Sequence, residues 1–116
     1  DVRTGAQALL LGAKPNAGLA EALELPGRID DLFLERATIS VATRLDLLAS
    51  EMSADRAPVV KLDGGEALIG RLQRSYHYVL MDVPLPLRDA AKGLLAAAHV
   101  QLFVLDGTLL SVRDTV

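Results

Sequence analysis

Apolar positions follow two rhythms along this chain. In the first part they recur at helical spacing, and in the later part they gather into short continuous runs. "AQALLLG" (Ala6–Gly12) predicts a short helix with Thr4 at its N-cap and Gly12 as its stop. "KPNAG" reads as a turn, and "AGLAEALELPG" as a second helix closed by Pro26 and Gly27. In "RIDDLFLERA", Ile29, Leu32 and Phe33 form the apolar side of a third helix. The β-branched residues of "TISVATRLDLLAS" lead into a strand over Leu45–Ala49, followed by the polar loop "EMSADRAP". "GGEALIGRLQRSY" predicts a helix with Ala67, Leu68 and Leu72 on one face and Arg71 and Arg74 on the other.

The later runs behave differently. "YHYVLMDV" and "VQLFVLD" are apolar on both faces, as central parallel strands are, and each ends on a carboxylate, Asp82 and Asp106. "LRDAAKGLLAAAH" between them is a helix of crossover length, and "GTLLSVRDTV" is a turn and a helix. The expected fold class is therefore α/β with a parallel sheet. The pattern opens on Asp1 without a leading strand and stops midway, which predicts the central part of a larger domain.

Composition narrows the class. The 116 residues suffice for one domain with a core. Of these, 51% are hydrophobic, dominated by Leu, Ala and Val, with two Tyr, two Phe and no Trp. That suits helices on a sheet better than a β-sandwich. No window approaches the roughly 18 uninterrupted apolar residues of a membrane span, and the start lacks the basic and small-residue features of a signal peptide. The absence of cysteine excludes disulfides and thiolate metal sites and is compatible with a reducing compartment. A net charge of −3 without a basic stripe argues against nucleic acid as the main partner.

Asp82 is the first candidate for chemistry. A carboxylate at the carboxyl end of a buried strand lies where open α/β sheets place their sites. It can approach a magnesium ion, accept a phosphoryl group, or cap the proline-bearing turn that follows at Pro84 and Pro86. The nearest string to a phosphate loop is "GEALIGRL" (Gly65–Leu72), which has Arg-Leu where Lys-Ser/Thr is needed and sits inside a helical pattern. It is a decoy. Asp1 alone reads as a solvated end, and His77 and His99 read as structural, since neither has a partner at metal-ligand spacing. Asp30 and Asp31 read as a solvated face or an acidic first turn. No GxSxG nucleophile turn occurs.

Taken together, these strings resemble a known family. "DVRTGAQALLLG", "GLAEALELPGRIDDLFLERATI" and "RLDLLASE", with "YHYVLMDVP" and "TLLSVRD" downstream, resemble the CpaE/TadZ branch of the MinD/ParA family, the ATPases of tight-adherence (Flp) pilus assembly. The resemblance runs over nearly the whole chain and implies a deviant P-loop NTPase fold, incomplete here because the first strand and phosphate loop would lie upstream of Asp1. It implies that Asp82 is the Walker B aspartate reaching magnesium through water, and that Asp1 positions the attacking water. It further implies that Asp106, Gly107, Thr108 and Arg113 lie beside the nucleotide base, although "DGT" stands where the family often has a proline. The implied cofactors are ATP and Mg2+. The implied assembly is a homodimer acting on pilus or secretion apparatus proteins in the cytoplasm, at the cell pole or inner-membrane face, with membrane contact only indirect. Without the loop's lysine and amides, this chain alone is expected neither to bind ATP tightly nor to hydrolyse it.

Two other readings stand beside this one. A scaffold of the same family would keep the fold and the partners without hydrolysis. A phosphoacceptor receiver domain would use "DVPLP" with Asp82 as acceptor, but it requires an acidic pair ending the first strand and a late lysine, and no Lys follows Lys92.

Overall fold

The computed structural model describes residues 6–50, 61–83 and 89–115. Helix α1 (Ala6–Leu10) ends in a left-handed Gly12 at φ 64°. The Gly12 amide donates to Leu9 O at 3.1 Å and the Ala13 amide to Ala8 O at 2.8 Å, the paired bonds of a Schellman cap. Ala8 and Ala13 both join one apolar cluster, the hydrophobic contact that usually accompanies such a cap. Gly12 is thus the stop that the sequence predicts. The predicted Thr4 cap lies outside the described residues.

Helix α2 (Gly18–Glu24) starts without a cap from its own N-cap residue, Ala17. Its first amides are taken instead by two outside side chains: Gly18 N–H donates to Asn16 Oδ1 at 2.8 Å, and Ala20 N–H donates to Ser50 Oγ at 2.8 Å. A short 3-10 turn, Pro26–Arg28, follows where the sequence places a stop. Helix α3 (Asp31–Ala37) is capped by Asp30, whose Oδ1 accepts from Phe33 N–H at 2.7 Å. Acidic Asp31 in its first turn and Arg36 in its last complement the helix dipole. The buried side of α3 is carried by Leu34 and Ala37, with Ile29 and Phe33 partly buried beside it, while Leu32 is 54% exposed. Its buried edge is therefore rotated from the Ile29/Leu32/Phe33 side that periodicity suggests.

Strands β1 (Ile39–Ala42) and β2 (Leu45–Leu47) form an antiparallel hairpin in which Ile39 faces Leu47 and Ser40 faces Asp46. The turn places Arg44 at φ 65°, a left-handed conformation that no glycine or asparagine announces. Helix α4 (Leu62–Ser75) buries Leu68, Ile69 and Leu72. Leu68 and Leu72 meet Ala22, Leu23 and Leu34 in the main core, with Tyr76 and Val79 packed against it. Each fully buried Leu contributes about 1.5–3 kcal/mol. Ala67 is exposed, and Arg71 turns toward α3, its Nε 3.0 Å from Asp31 Oδ1. That pair is in ionic range but out of hydrogen-bond alignment, since Arg71 Nε makes no hydrogen bond. Helix α5 (Asp89–Ala96) packs on α4 at Gly65, where a Cβ would come 2.7 Å from Leu94 Cδ2. Helix α6 (Leu109–Thr115) follows Gly107 at φ 78°.

The two apolar runs read as parallel strands take another form. Residues 76–83 and 100–106 belong to no strand among the described residues, whose sheet is the β1–β2 hairpin. In the first run Tyr78 and Leu80 point outward, 91% and 92% exposed, while Val79 rests on the core. The second is exposed on both sides, Val104 reaching 95%. An extended apolar segment becomes a strand only when a neighbour takes its amides and carbonyls. Among the described residues, residues 77–81 and 100–105 have no backbone–backbone hydrogen bond.

Candidate functional site

Asp106, Gly107 and Thr108 form one local unit at the entry to α6. The Asp106 carboxylate accepts from Thr108 N–H at 3.0 Å and from Thr108 Oγ1 at 2.8 Å. Thr108 Oγ1 in turn accepts from Ser111 N–H at 3.2 Å, which makes Thr108 the N-cap of α6. The left-handed Gly107 lets the chain turn between the two. The Thr108 amide first, then its hydroxyl, hold the Asp106 carboxyl below the usual carboxylate range, because each hydrogen bond favours the charged form. Asp106 is consequently an exposed, ionised carboxylate tied into its own turn. Arg113 is exposed in the last turn of the same helix.

Asp82 lies near the end of the first of the two non-helical apolar runs and is exposed. The turn with Pro84 and Pro86, and Asp1 at the chain start, lie outside the described residues. The sequence candidates are thus divided: Asp106, Gly107 and Thr108 come together, and Asp82 sits on a separate segment. Gly65–Leu72, the loop-like string, lies wholly within α4, and both histidines are exposed.

The donor chemistry can be weighed against a nucleotide. Carboxylate oxygens such as those of Asp82 and Asp106 suit a hard cation like magnesium. A polyphosphate also needs a cradle of backbone amides or a lysine, and the described residues supply no glycine-rich loop of that kind. Among them no group of three or more His, Asp or Glu side chains is placed to hold a metal. The described part therefore offers exposed carboxylates, Asp82 and Asp106, without a phosphate cradle.

Two open concavities go unannounced in the sequence. One, of about 640 Å³, lies between α2 and α3 and is lined by Asn16, Glu21, Arg28, Asp30, Phe33 and Arg36 among others. The second, about 420 Å³, brings Asp31, Glu35, Asp46 and Tyr76 together beside the hairpin. Within it Tyr76 is raised above its ordinary pKa, by burial first and then by its bond to Asp46. The first draws on one stretch of chain, residues 16–37, while the second gathers residues far apart, so spacing carries no signal for it. No helix among the described residues is long and apolar enough to cross a membrane. Neither a protein-family model, nor a curated protein, nor a solved structure matches the chain.

Proposed function

We propose that this chain is the central part of a MinD/ParA-like domain of the CpaE/TadZ type, a nucleotide-dependent dimeric switch that positions pilus or secretion machinery from the cytoplasm. One observation carries the reading: an apolar segment leaves α4, rests Val79 on the core, and leaves Asp82 exposed near its carboxyl end. An exposed carboxylate of this kind can approach a hydrated magnesium ion. The similarity of the surrounding strings to the family supports it, and ATP with magnesium would be the bound species. Asp82 would then face the hydrated cation, and Asp1 would orient the water. Residues Asp106, Gly107, Thr108 and Arg113 would border the base, with the Asp106 turn held rigid by Thr108.

The test is calorimetry of ATP on the full-length protein, with and without magnesium, wild type beside Asp82→Ala. Magnesium-dependent binding that weakens about tenfold or more in the variant, a loss of roughly 1.4 kcal/mol, is the expected result. Absence of binding by the wild type overturns the switch.

A non-hydrolysing scaffold is the second reading, favoured by the exposed Tyr78, Leu80 and Val104, which present apolar area of the kind that protein partners cover. It predicts partner binding that is indifferent to ATP.

A further inference from the structure

We propose that Asp106–Gly107 is a site of spontaneous isoaspartate formation, and that Thr108 restrains it. Two Asp–Gly pairs occur in the chain, Asp63–Gly64 and Asp106–Gly107. Such pairs are the most open to this rearrangement, because no side chain shields the glycine nitrogen and the glycine backbone turns freely. The fold treats the two pairs differently. Asp63–Gly64 lies in the first turn of α4, where the Gly64 amide donates to Lys61 O at 3.1 Å and Gly64 is buried against the Leu23 carbonyl. Closing a ring there must wait until the turn opens. Asp106–Gly107 is exposed and lies outside every helix and strand among the described residues, with Gly107 at φ 78°. Among those residues the Gly107 amide makes no backbone–backbone hydrogen bond, so ring closure there breaks none.

The first step is a condensation. The Gly107 nitrogen attacks Asp106 Cγ, the N–C bond of a succinimide forms, and the carboxyl hydroxyl leaves as water with the amide proton. Water then reopens the ring. Attack at the side-chain carbonyl restores aspartate, and attack at the main-chain carbonyl leaves the chain running through Cγ, which is isoaspartate. The sum neither gains nor loses atoms and needs no co-reactant beyond water. Thr108 opposes the condensation, because its amide and hydroxyl both donate to Asp106 Oδ1, at 3.0 and 2.8 Å. Those bonds hold the carboxyl in place and favour its ionised form, which has no hydroxyl to lose. The product carries an extra carbon in its main chain, so the Asp106–Thr108 bonds at the entry to α6 are lost. No nucleotide or magnesium takes part, so the rearrangement stands or falls independently of the switch proposed above.

The experiment is ageing of the full chain in warm, mildly acidic buffer, followed by proteolytic peptide mapping. Succinimide appears as a peptide lighter by one water. Isoaspartate appears as a peptide of unchanged mass that an isoaspartyl methyltransferase labels from S-adenosylmethionine. Label should accumulate at Asp106 about tenfold or more faster than at Asp63. In urea the two sites should converge, since the dipeptide is the same. Thr108→Val keeps the amide and removes the hydroxyl, and should speed the reaction at Asp106 by about two- to tenfold. Circular dichroism checks that the variant keeps the fold. No label at Asp106, equal rates at the two sites of the folded chain, a difference that persists in urea, or an unchanged rate in Thr108→Val would each overturn the proposal.

Discussion

The hydroxyl of Tyr76 donates a 3.0 Å hydrogen bond to Asp46 Oδ2, tying the end of α4 to β2. Burial, then Asp46 by hydrogen bond and charge, raises the phenol above its ordinary value of 10.0. Folding thus favours the protonated form. The associated stability is fully present below the unfolded-state value and is lost as pH rises through the raised folded-state one. Denaturation curves should therefore show stability falling above about pH 10, and Tyr76→Phe should remove that part of the slope. At neutral pH the same variant should lose about 0.5–1.5 kcal/mol. An unchanged alkaline slope in the variant would assign the titration to another group.

Two glycines of α4 should respond in opposite directions. A Cβ at Gly64 would come 2.5 Å from the carbonyl oxygen of Leu23, which also accepts from Lys61 N–H at 3.2 Å. Backbone cannot swing aside as a side chain can, so Gly64→Ala should destabilise by about 1–3 kcal/mol. Gly70 has nothing within 4 Å of the same position, and Gly70→Ala should stabilise by about 1 kcal/mol through helix propensity. Urea unfolding of both variants gives the signs directly, and a stabilised Gly64→Ala would refute the close approach of α2 and α4.

Asp30 anchors the start of α3 by accepting from Phe33 N–H. Replacing it by alanine leaves that amide without its cap and should lower the unfolding free energy by about 1 kcal/mol, with Asp30→Asn losing much less. Equal losses in the two variants would place the effect in the charge and not in the hydrogen bond.

The Asp106 turn offers a spectroscopic test. Its carboxyl carbon should titrate below the ordinary 3.8 in an NMR series. Because the Thr108 amide is the first cause and the hydroxyl the second, Thr108→Val should bring the titration only part of the way back. By the same linkage, the stability held in this turn is present above the ordinary value and is lost as pH falls through the depressed one. A full return in Thr108→Val would mean that the amide contributes nothing.

What the sequence makes legible here is local. Gly12 as a stop, the ends of α2, and the extent of α4 follow from turn residues and helical spacing, which act over a few positions. Residues Leu45–Leu47 likewise fall within the strand predicted over Leu45–Ala49. The hairpin itself is not legible, because its turn uses Arg44 in a conformation that ordinarily selects glycine or asparagine. The capping of α2 by Ser50 is equally hidden, since donor and acceptor lie 30 positions apart. The apolar runs ending at Asp82 and Asp106 show the limit most clearly. Their composition is that of central strands, but strand formation depends on a neighbouring chain segment, which no single run encodes. For the candidate site, the sequence singles out Asp82 and Asp106 by position, while the hydrogen bonds of Asp106 to Thr108 belong to the turn geometry.

Ser50 is fully buried, and its hydroxyl receives Ala20 N–H while Asn16 binds both Gly18 N–H and Ala37 O. A parallel bridge between Asn16 and Ser50 closes the same ring of chain. These few polar groups act as a buckle around α2, α3 and the hairpin. Because the Asn16–Ala37 and Ala20–Ser50 bonds link distant positions, neither can form until the intervening chain has folded back, and closure carries an entropic cost that the packed helices must offset. Once shut, the enclosed elements should open together, so their amides should exchange with solvent as one cooperative unit. The slowest-exchanging amides should then lie inside the buckle.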